Sequence, residues 1–343
     1  MQTPHIDSPP NAEDLRERRL RRRKRVLAAS AVLCAAVSAC YWWQADWLAP
    51  VTLVPAWFWL VFAFALTARG ISRKHKLWSL AVVSLWVVYT VLMVEEARSL
   101  VRSRSRPTAE WKAARDRGRG VRVVSLNCAA ANRHAAAEVA RWDPDIVLFQ
   151  ESPSRQNLEN LAQEVFGADG ESLWGGDTSI LARGRIEPGG VDGTSHYVHA
   201  HVELTTGMKA DVISLRLSPP VFRLDFWSPG FWRDHRDKRI KHRQQILDVV
   251  QRIQSIPQSA PLIVGGDFNA PPDDAALAQL RPRLFDTFRK AGHGWGNTGT
   301  NSCPLFRVDQ IWASRQFRAE SVTAQKTIHS DHRMVVCDLL LDE

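Results

Sequence analysis

Residues 261–272 read PLIVGGDFNAPP, and this stretch decides the fold of the carboxy-terminal part of the chain. A short apolar run that ends in turn residues is typical of a buried strand. The Gly pair permits a tight backbone path, and the Pro pair prevents the strand from continuing. Asp267 and Asn269 are therefore predicted at the carboxyl end of a strand. Taken alone, the same spacing is also typical of an ordinary Asx turn.

Working outward, short apolar runs alternate with helical stretches from Val121 onward. This alternation is typical of an α/β domain. It predicts helices at 134–142, 158–166, 234–255 and 274–280. It also predicts a hairpin about Thr206–Gly207 and strands at 122–127, 146–151, 178–182, 196–204, 210–217, 308–313 and 333–341.

Polar side chains recur at the ends of these predicted strands. Each has an ordinary explanation as a strand-end or turn residue, but their coincidence at strand ends and their complementary chemistry favour one site. The residues are Asn127, Glu151, Asp267, Asn269, Asp309, Asp331 and His332.

Their chemistry fits hydrolysis of a phosphate ester by metal-activated water. Glu151 offers a hard oxygen ligand and Asn127 a neutral one, which suits Mg²⁺ or Mn²⁺. The sequence shows no His/Cys cluster that favours zinc. Asp267 is predicted to orient or deprotonate the attacking water, and Asn269 to hold a non-bridging phosphate oxygen.

His332 is the predicted partner of the phosphoryl group. A neighbouring carboxylate fixes the tautomer of an imidazole and stabilises its protonated form. We assign that role to Asp309.

Five motifs follow one another in chain order and resemble the endonuclease/exonuclease/phosphatase superfamily, the group of pancreatic deoxyribonuclease, abasic-site endonucleases, sphingomyelinases and inositol phosphatases. The resemblance extends over residues 121–341. The motifs are Asn127 at a strand end, Gln150–Glu151, Gly266–Asp267–Phe268–Asn269, Val308–Asp309–Gln310–Ile311 and Ser330–Asp331–His332.

This resemblance implies an α/β fold of four layers, in which two packed mixed β-sheets are flanked by helices. It also implies an active site at one end of the sandwich. By the same resemblance, Asn127 and Glu151 bind the metal, and Asp331 lies beside the metal or His332. Asp267 and Asn269 position the nucleophile and the phosphate, and His332 acts with Asp309.

The chain departs from the family pattern at two positions. Most members place a phosphate-contacting His in the strand that corresponds to residues 211–217, where this chain has Arg216. A guanidinium can bind phosphate through two hydrogen bonds but does not readily donate a proton. The alternative is that Arg216 is a surface charge. Ala129 stands where abasic endonucleases carry an Asp, which disfavours that branch.

The first hundred residues have a different composition. Residues 1–25 are predicted to be a disordered, basic cytoplasmic arm, and the dense basic run 16–25 favours a membrane flank over a nucleic-acid contact. Residues 26–94 contain three charge-free apolar runs, 26–43, 47–66 and 77–94, which predict three transmembrane helices. An alternative is that the first run is a cleaved signal, since Val37–Cys40 resembles a lipoprotein cleavage box.

Loop charge predicts the orientation of these helices. The basic arm lies inside, the uncharged-to-acidic link 44–46 outside, and the basic link 67–76 inside. A multi-pass protein of the cell membrane results, with a linker at 95–120 and a catalytic domain at 121–343 outside the cytoplasm. Four Arg residues between positions 98 and 106 favour the opposite placement.

The segment Ser218–Asp234 is rich in aromatic residues and is bracketed by Pro-containing turns. It is either a lid packed on itself or an apolar rim that receives a lipid tail or rests on the bilayer.

These features predict a membrane-anchored phosphoesterase whose partners are the lipid bilayer and a phosphorylated substrate. The substrate favoured by the membrane anchor and the aromatic segment is a lipid-linked phosphate or pyrophosphate. One alternative is a nuclease, but much of the net charge of +9 lies in the membrane flank and the linker. A second alternative is a non-catalytic phosphate-binding domain, which retention of both Asp267 and His332 disfavours. Nothing in the sequence points to a protein partner.

Overall fold

The computed structural model describes residues 11–102, 108–189 and 196–342. The chain divides into two compact units. The first contains Met1–Trp43 and Pro55–Ala97, and the second contains Gln44–Val54 and Arg98–Glu343. The second unit is therefore discontinuous in sequence. Residues 1–10 of the predicted arm and 103–107 of the predicted linker lie outside the described residues.

The amino-terminal part of the chain is helical. Its α-helices are α1 (Ala12–Trp43), α2 (Ala49–Thr52), α3 (Trp59–Gly70), α4 (Lys76–Met93) and α5 (Glu95–Val101). Short 3₁₀ helices cover Asp46–Leu48, Ala56–Phe58 and Arg73–His75. Residues 12–25, expected to be disordered, form the first turns of α1, because Arg, Glu and Leu are good helix formers and the Asn11 side chain accepts a hydrogen bond from Asp14 N (2.8 Å).

Two helices of the described chain are long and apolar enough to cross a membrane, Ala12–Trp43 and Arg73–Met93. The segments Asp46–Thr52 and Ala56–Gly70 are bent by 62° relative to each other and make a third candidate only when counted as one broken span. The second predicted apolar run is thus not one straight helix. Pro55 lies at the break, where it lacks an N–H and disfavours helical geometry in the preceding residue.

Within the first unit, α3 runs antiparallel to α1. The Trp59 indole donates to the Tyr41 hydroxyl (3.3 Å), and the hydroxyls of Ser30 and Thr67 are 2.9 Å apart. Helix α4 packs on the same pair, with the Trp86 indole donating to Ser30 Oγ (3.0 Å). The start of α3 therefore contacts the end of α1, and the end of α3 contacts α1 near the start of its apolar part.

The second unit is an α/β domain. Its further helices are α6 (Ala109–Asp116), α7 (Arg133–Ala137), α8 (Arg155–Phe166), α9 (Pro229–Ser255) and α10 (Thr287–Ala291), with 3₁₀ turns at Glu138–Trp142, Gly167–Asp169 and Ala275–Leu280. Its strands are β1 (Gly120–Asn127), β2 (Ile146–Gln150), β3 (Gly170–Trp174), β4 (Thr178–Pro188), β5 (Tyr197–Leu204), β6 (Lys209–Arg216), β7 (Leu262–Asp267), β8 (Leu284–Asp286), β9 (Asp309–Ser314), β10 (Phe317–Gln325) and β11 (Met334–Leu341).

These strands form one large curled mixed sheet of eleven strands, in the order β10-β11-β1-β2-β4-β5-β6-β7-β9-β8, with β3 paired to β4. We expected two separate sheets. The strands are continuous because β4 pairs with β2 and β3 through residues 178–182 and with β5 through residues 184–188. Gly184 lies at this change of partner with φ of 146°, and a Cβ there would meet Glu203 O at 2.2 Å.

Three buried clusters stabilise this arrangement. The bend in β4 divides the sheet into two halves, one containing β1 and β2 and the other containing β5–β9. One cluster contains residues of both halves, including Val123 and Ile146 from the first and Val212 and Ile263 from the second. A second lies between the β5–β9 half and α9, and a third between the β1–β2 half and α8.

Helix α9 also contacts residues 44–54 within the second unit. The Arg239 guanidinium is fully buried, pairs with Asp274 (2.8 Å) and donates to Ala45 O (3.1 Å) and the Thr52 hydroxyl. Arg243 pairs with Asp46 (2.9 Å and 2.5 Å). These contacts hold the short segment against the helix.

Most predicted strands are confirmed to within one or two residues, and β5 and β6 form the predicted antiparallel hairpin. Residues 109–116 of the predicted linker instead form α6. Trp111 of α6 is buried and donates to Leu339 O (3.0 Å), so this helix packs on the sheet.

Candidate active site

The strand register places the predicted site residues side by side. Parallel strands β1 and β2 align Asn127 with Gln150, which precedes Glu151. Parallel strands β6 and β7 align Arg216 with Asp267, and antiparallel β7 and β9 align Asp267 with Asp309. Because the carboxyl ends of parallel strands meet at one edge of a sheet, the polar side chains collect there.

Glu151 is held by the backbone that follows β1. Its φ is 45°, and Ala129, Ala130 and Ala131 have φ of 48°, 57° and 64°. Such left-handed conformations cost roughly 1–2 kcal/mol per residue outside glycine. In this geometry Ala130 N donates to Glu151 Oε2 (2.5 Å) and Ala131 N donates to Glu151 O (3.0 Å). The strained loop therefore fixes the carboxylate.

Asn127 joins two carboxylates. Its Nδ2 donates to Glu151 Oε1 (3.3 Å) and to Asp267 Oδ2 (3.1 Å), while its Oδ1 accepts from Ala129 N (3.0 Å). The amide thus presents its nitrogen, rather than its oxygen, to Glu151 and Asp267.

Asp267 is buried at the end of β7, where it accepts hydrogen bonds from Asn127 and from Asn269. Asn269 N donates to its Oδ1 (2.9 Å), and Asn269 Nδ2 donates to its Oδ2 (3.1 Å) and to Leu217 O (2.8 Å). Gly266 permits the close approach of β6 here, since a Cβ would meet Leu215 O at 1.9 Å. Asn269 therefore fixes the orientation of the Asp267 carboxylate.

Asp309 and His332 form a buried pair. His332 Nδ1 lies 2.8 Å from Asp309 Oδ2, and the ligand atoms of Asp267, Asp309 and His332 all lie within 4.8 Å of one another. Two residues to which the sequence analysis assigned no role position this pair. Thr298 Oγ1 accepts from Asp309 N (3.0 Å), and Ser330 Oγ accepts from His332 N (3.0 Å).

Ser330 Oγ also donates to Asn127 O (2.7 Å), which joins the last strand to the first. The Ser-Asp-His motif contained a signal for Ser330, whereas Thr298 lies in a Gly- and Asn-rich loop with none. Asp331, the third predicted metal ligand, has an exposed side chain and acts on His332 through its charge. The structure does not bring it into the cluster of carboxylates.

The charges of this cluster shift its protonation equilibria. Burial and the neighbouring charge of Asp309 raise the pKa of Asp267. Burial of His332 opposes its charged form, but the charge and hydrogen bond of Asp309 outweigh it and raise the pKa of His332 to about 10. Burial raises the pKa of Glu151, but the Ala130 N–H and the charge of Arg216 outweigh it, so the pKa is lowered. His332 is therefore cationic at neutral pH.

Arg216 lies at the centre of a further ion-pair group. Its Nη2 donates to Glu151 Oε1 (2.6 Å), and its Nη1 donates to Asp177 Oδ1 (3.2 Å) and Oδ2 (3.1 Å). Arg216 is thus partly buried and paired with two carboxylates, unlike the surface charge considered as the alternative. Asp177 had no sequence signal, because it follows two glycines in a turn.

The donor set fits a hard divalent cation. Glu151, Asp267 and the Asn127 amide meet within hydrogen-bond distance. Asp309 Oδ1 is buried and has no hydrogen-bond partner in the described part of the chain. Carboxylate oxygens are ligands that Mg²⁺ and Mn²⁺ prefer, and Asn127 Oδ1 would join them if the amide turned away from Ala129 N. A cation here would also offset the repulsion that raises the pKa of Asp267.

The model of the endonuclease/exonuclease/phosphatase family matches residues 124–332, more than half of the chain. The protein therefore belongs to this family of divalent-metal-dependent hydrolases, which act on phosphoester bonds. A search of curated proteins found no match.

Similar solved structures include three proteins of low identity. An endonuclease/exonuclease/phosphatase from Beutenbergia cavernae is 18% identical over 65% of this chain and 72% of its own (TM-score 0.49). A mannosyl-6-phosphatase from Bacteroides thetaiotaomicron is 17% identical over 64% and 100% (TM-score 0.48). D. rerio TDP2 complexed with a single-strand DNA product is 16% identical over 64% and 98% (TM-score 0.46).

Proposed function

We propose that this protein is a membrane-anchored phosphoesterase that depends on Mg²⁺ or Mn²⁺ and hydrolyses a lipid-linked phosphate ester or pyrophosphate. The observation that carries the catalytic part is the convergence of Asp267, Asp309 and His332, with ligand atoms within 4.8 Å of one another, beside Glu151 and Asn127. The three buried clusters support a four-layer arrangement, in which the two halves of the curled sheet pack face to face between helices.

Glu151, with Asn127 and Asp267 beside it, would hold the cation. When bound, a divalent cation neutralises phosphate charge and lowers the pKa of water. Metal binding competes with the Arg216–Glu151 ion pair (2.6 Å). We therefore assign Arg216 to the phosphate group of the substrate. Its Nη2 would leave Glu151 and bind the phosphate, while its Nη1 would keep the hydrogen bonds to Asp177.

Asp267 is the general base or water-orienting group in this proposal. Its raised pKa brings it nearer to neutral pH, where a carboxylate abstracts protons more effectively. Asn269 keeps the carboxylate in place through two hydrogen bonds, to Oδ1 (2.9 Å) and Oδ2 (3.1 Å). It has the amide group needed to hold a non-bridging oxygen.

His332 is a cation that faces the same space as Asp267. Because Asp309 holds its Nδ1, the Nε2–H is free for the phosphoryl group. The imidazolium thus stabilises negative charge on the phosphate and can donate a proton to the leaving oxygen.

Three membrane crossings are supported by the first unit. Helix α3 contacts α1 near Tyr41 at one end and near Thr67 and Ser30 toward the other. At about 1.5 Å per residue, α3 and the 3₁₀ turn Ala56–Phe58 before it cover about 22 Å, a short span. Helix α4 then returns along the same two helices.

The placement of residues 44–54 supports an extracytoplasmic catalytic domain. They follow α1 directly, and α1 begins with the basic arm that sequence places inside. Residues 44–54 belong to the same compact unit as residues 98–343. One compact unit cannot be divided by the bilayer, so a single crossing by α1 puts the catalytic domain on the far side from the arm.

The lipid-linked substrate is favoured by the loop of residues 218–228, the aromatic loop, between β6 and α9. The side chains of Phe222, Leu224, Phe226 and Trp227 are 90%, 89%, 66% and 75% exposed. Arg223 pairs with Asp225 in the loop and with Asp234 at the start of α9 (both 2.5 Å). A loop that presents several apolar side chains to the outside is typical of contact with a lipid surface.

The aromatic loop is also continuous with the site. It begins just after Leu217, whose carbonyl accepts from Asn269 (2.8 Å), and it leads into α9, whose Arg239 and Arg243 contact residues 44–52. The loop thus joins the phosphate site to a segment that immediately follows a membrane-crossing helix.

The test is hydrolysis by the full-length protein in lipid nanodiscs, with Mg²⁺, Mn²⁺ or a chelator. Substrates are polyprenyl phosphates and pyrophosphates, phospholipids, a soluble phosphomonoester and supercoiled DNA. We expect metal-dependent release of phosphate from a lipid substrate, and a loss of about 10²–10⁴-fold in Asp267→Asn and His332→Gln.

Glu159→Gln, on the exposed face of α8, is the control and should retain full activity. Nicking of DNA without lipid hydrolysis would transfer the assignment to a nuclease. No hydrolysis of any of these substrates, or full activity in both site variants, would contradict the proposal.

A further inference from the structure

A second group of metal-ligating side chains lies on the β5–β6 hairpin, away from the candidate active site. It consists of His199, His201 and Asp211, whose ligand atoms all lie within 4.8 Å of one another. His199 Nε2 is 2.8 Å from Asp211 Oδ1, and His201 Nδ1 is 2.7 Å from the same oxygen. Two imidazoles therefore converge on one carboxylate oxygen.

The hairpin register explains this convergence. His199 and His201 are two positions apart on β5 and so point to the same face, and His201 is the direct cross-strand partner of Asp211. Asp211 lies five residues before Arg216 on β6, about 17 Å along the strand at about 3.3 Å per residue. The sequence showed no zinc-type cluster, because the third ligand is brought in only by the pairing of the two strands.

The environment of the group is that of a built site. His199 and Asp211 are 1% and 6% exposed, while the His201 side chain is 55% exposed. His199 Nδ1 is buried without a hydrogen-bond partner in the described part of the chain. This nitrogen lies on the opposite side of the ring from Nε2, so Nε2 is the atom that His199 presents to Asp211 and His201. The exposed edge at His201 leaves a coordination position open to water.

The donor types and spacing suit a transition metal of the zinc class. Two imidazoles and a carboxylate are a common three-ligand set for Zn²⁺, with water in the fourth position. Ligand atoms about 2.1 Å from a tetrahedral ion lie about 3.4 Å apart. The observed separations of 2.8 Å and 2.7 Å therefore need to open by about 0.6–0.7 Å.

We propose that His199, His201 and Asp211 form a second metal site, which binds Zn²⁺ independently of the catalytic cation. The ordinary alternative is that Asp211 merely accepts hydrogen bonds from the two imidazoles. The two explanations differ in what a transition metal does to the protein.

The test is a titration of the metal-free, full-length protein in detergent with Co²⁺, followed by visible absorption, and then displacement by Zn²⁺. Saturating Mg²⁺ is kept present to occupy the oxygen-rich catalytic site. We expect a histidine-type cobalt spectrum, at one ion per chain, that Zn²⁺ abolishes. His201→Gln should weaken Co²⁺ binding by about 100-fold or more, since even changes behind the direct ligands cost 10–100-fold.

His201 is exposed, so its replacement should not unfold the protein, and circular dichroism checks this. His134→Gln removes an exposed histidine elsewhere and should leave the cobalt spectrum unchanged. The absence of a cobalt spectrum in the wild type, or equal affinity in wild type and His201→Gln, would overturn the proposal.

Discussion

Arg216 brings a permanent positive charge to a position where the family resemblance predicts a histidine. Its guanidinium contacts Glu151 and Asp177 at once, which a planar group with several donors can do and an imidazole cannot. Any proton-donating role at this position therefore falls to another residue. In our proposal that residue is His332, whose pKa is raised to about 10.

Replacement of Arg216 tests its assignment to the phosphate. Arg216→Ala should raise KM for the phosphorylated substrate by roughly tenfold or more, because a charge-assisted hydrogen bond contributes about 1.5–3 kcal/mol. Arg216→Lys should restore only part of the affinity, since an ammonium does not match the two-pronged geometry. Steady-state kinetics in nanodiscs measure both. An unchanged KM in Arg216→Ala would leave the residue with a structural role only.

The Asp309–His332 pair predicts a specific titration. Because the charge and hydrogen bond of Asp309 raise the pKa of His332 to about 10, the imidazole of the metal-free protein should remain protonated through neutral pH. Asp309→Asn removes the charge, so the pKa should fall below 10 and activity should decline. NMR of labelled histidine follows the titration.

His196 provides an internal reference for this experiment. Burial lowers its pKa, and its ring contacts Gln245 O (3.2 Å) rather than the site. Its titration should be the same in both proteins. A His332 that loses its proton near pH 6.5 in the wild type would contradict the pairing.

At this scale the sequence identified the residues that carry chemistry but not their hydrogen-bond partners. Asp267, Asp309 and His332 stand in recognisable short motifs, so their meeting could be predicted. Asp177 and Thr298 lie in loops whose paths depend on the whole sheet, and no local pattern marks them. The strained backbone that fixes Glu151 was likewise invisible, since three consecutive alanines ordinarily favour a helix.

Helix α9 carries one partner of a fully buried ion pair. The side chains of Arg239 and Asp274 are 0% and 1% exposed. Removing one partner of such a pair leaves a buried, uncompensated charge, which costs about 3–5 kcal/mol. Arg239→Met should therefore lower the thermal stability of the protein strongly, as measured by unfolding in detergent.

Arg236 on the same helix is the matched control for this prediction. It pairs with the adjacent Asp237 at the surface (2.8 Å), and exposed pairs contribute about 0–1 kcal/mol. Arg236→Met should leave the melting temperature nearly unchanged. Equal effects of the two substitutions would show that the contacts of Arg239 with residues 44–54 add no stability.

The aromatic loop predicts a split between lipid and soluble substrates. Replacing both Phe226 and Trp227 with Ser removes two exposed rings whose burial in lipid contributes about 1.5–3 kcal/mol each. Hydrolysis of a membrane-embedded substrate should fall roughly tenfold or more, while hydrolysis of a short-chain soluble analogue stays the same.

Trp174→Ser, which removes a partly exposed ring from β3, should affect neither substrate. If the loop variant lost activity on both substrates equally, the loop would be a lid over the site rather than a contact with lipid.

Strands with a continuous run of apolar residues were predictable from the sequence, and short or polar strands were not. Strands β1, β2 and β7 have buried, apolar-rich sequences, so their bounds agree closely with the prediction. Strands β3 and β10 alternate with many polar residues, and β8 has only three residues, so none was predicted. The continuity of the sheet through β4 depends on a glycine bend that no local pattern distinguishes from a turn.

Our proposal gives the chain a defined membrane topology. A reporter enzyme that is active only outside the cytoplasm should be active when fused after residue 343 and inactive when fused at the amino terminus. A cysteine placed at position 46 should react with a membrane-impermeant reagent added from outside. Opposite results at both positions would place the catalytic domain in the cytoplasm. Results that place position 46 and residue 343 on different sides would contradict the grouping of residues 44–54 with the catalytic domain.

The discontinuity of the second unit has a consequence for synthesis. Ala45 and its partner Arg239 are 194 positions apart, so the short segment leaves the ribosome long before the helix that covers it. Domains generally fold as units during translation, beginning at the amino terminus. Here the carbonyls of residues 44–45 have no partner on α9 until residue 239 has been synthesised. Recombinant fragments that start after residue 94 would lack residues 44–54, so the buried guanidinium of Arg239 would lose its acceptors there.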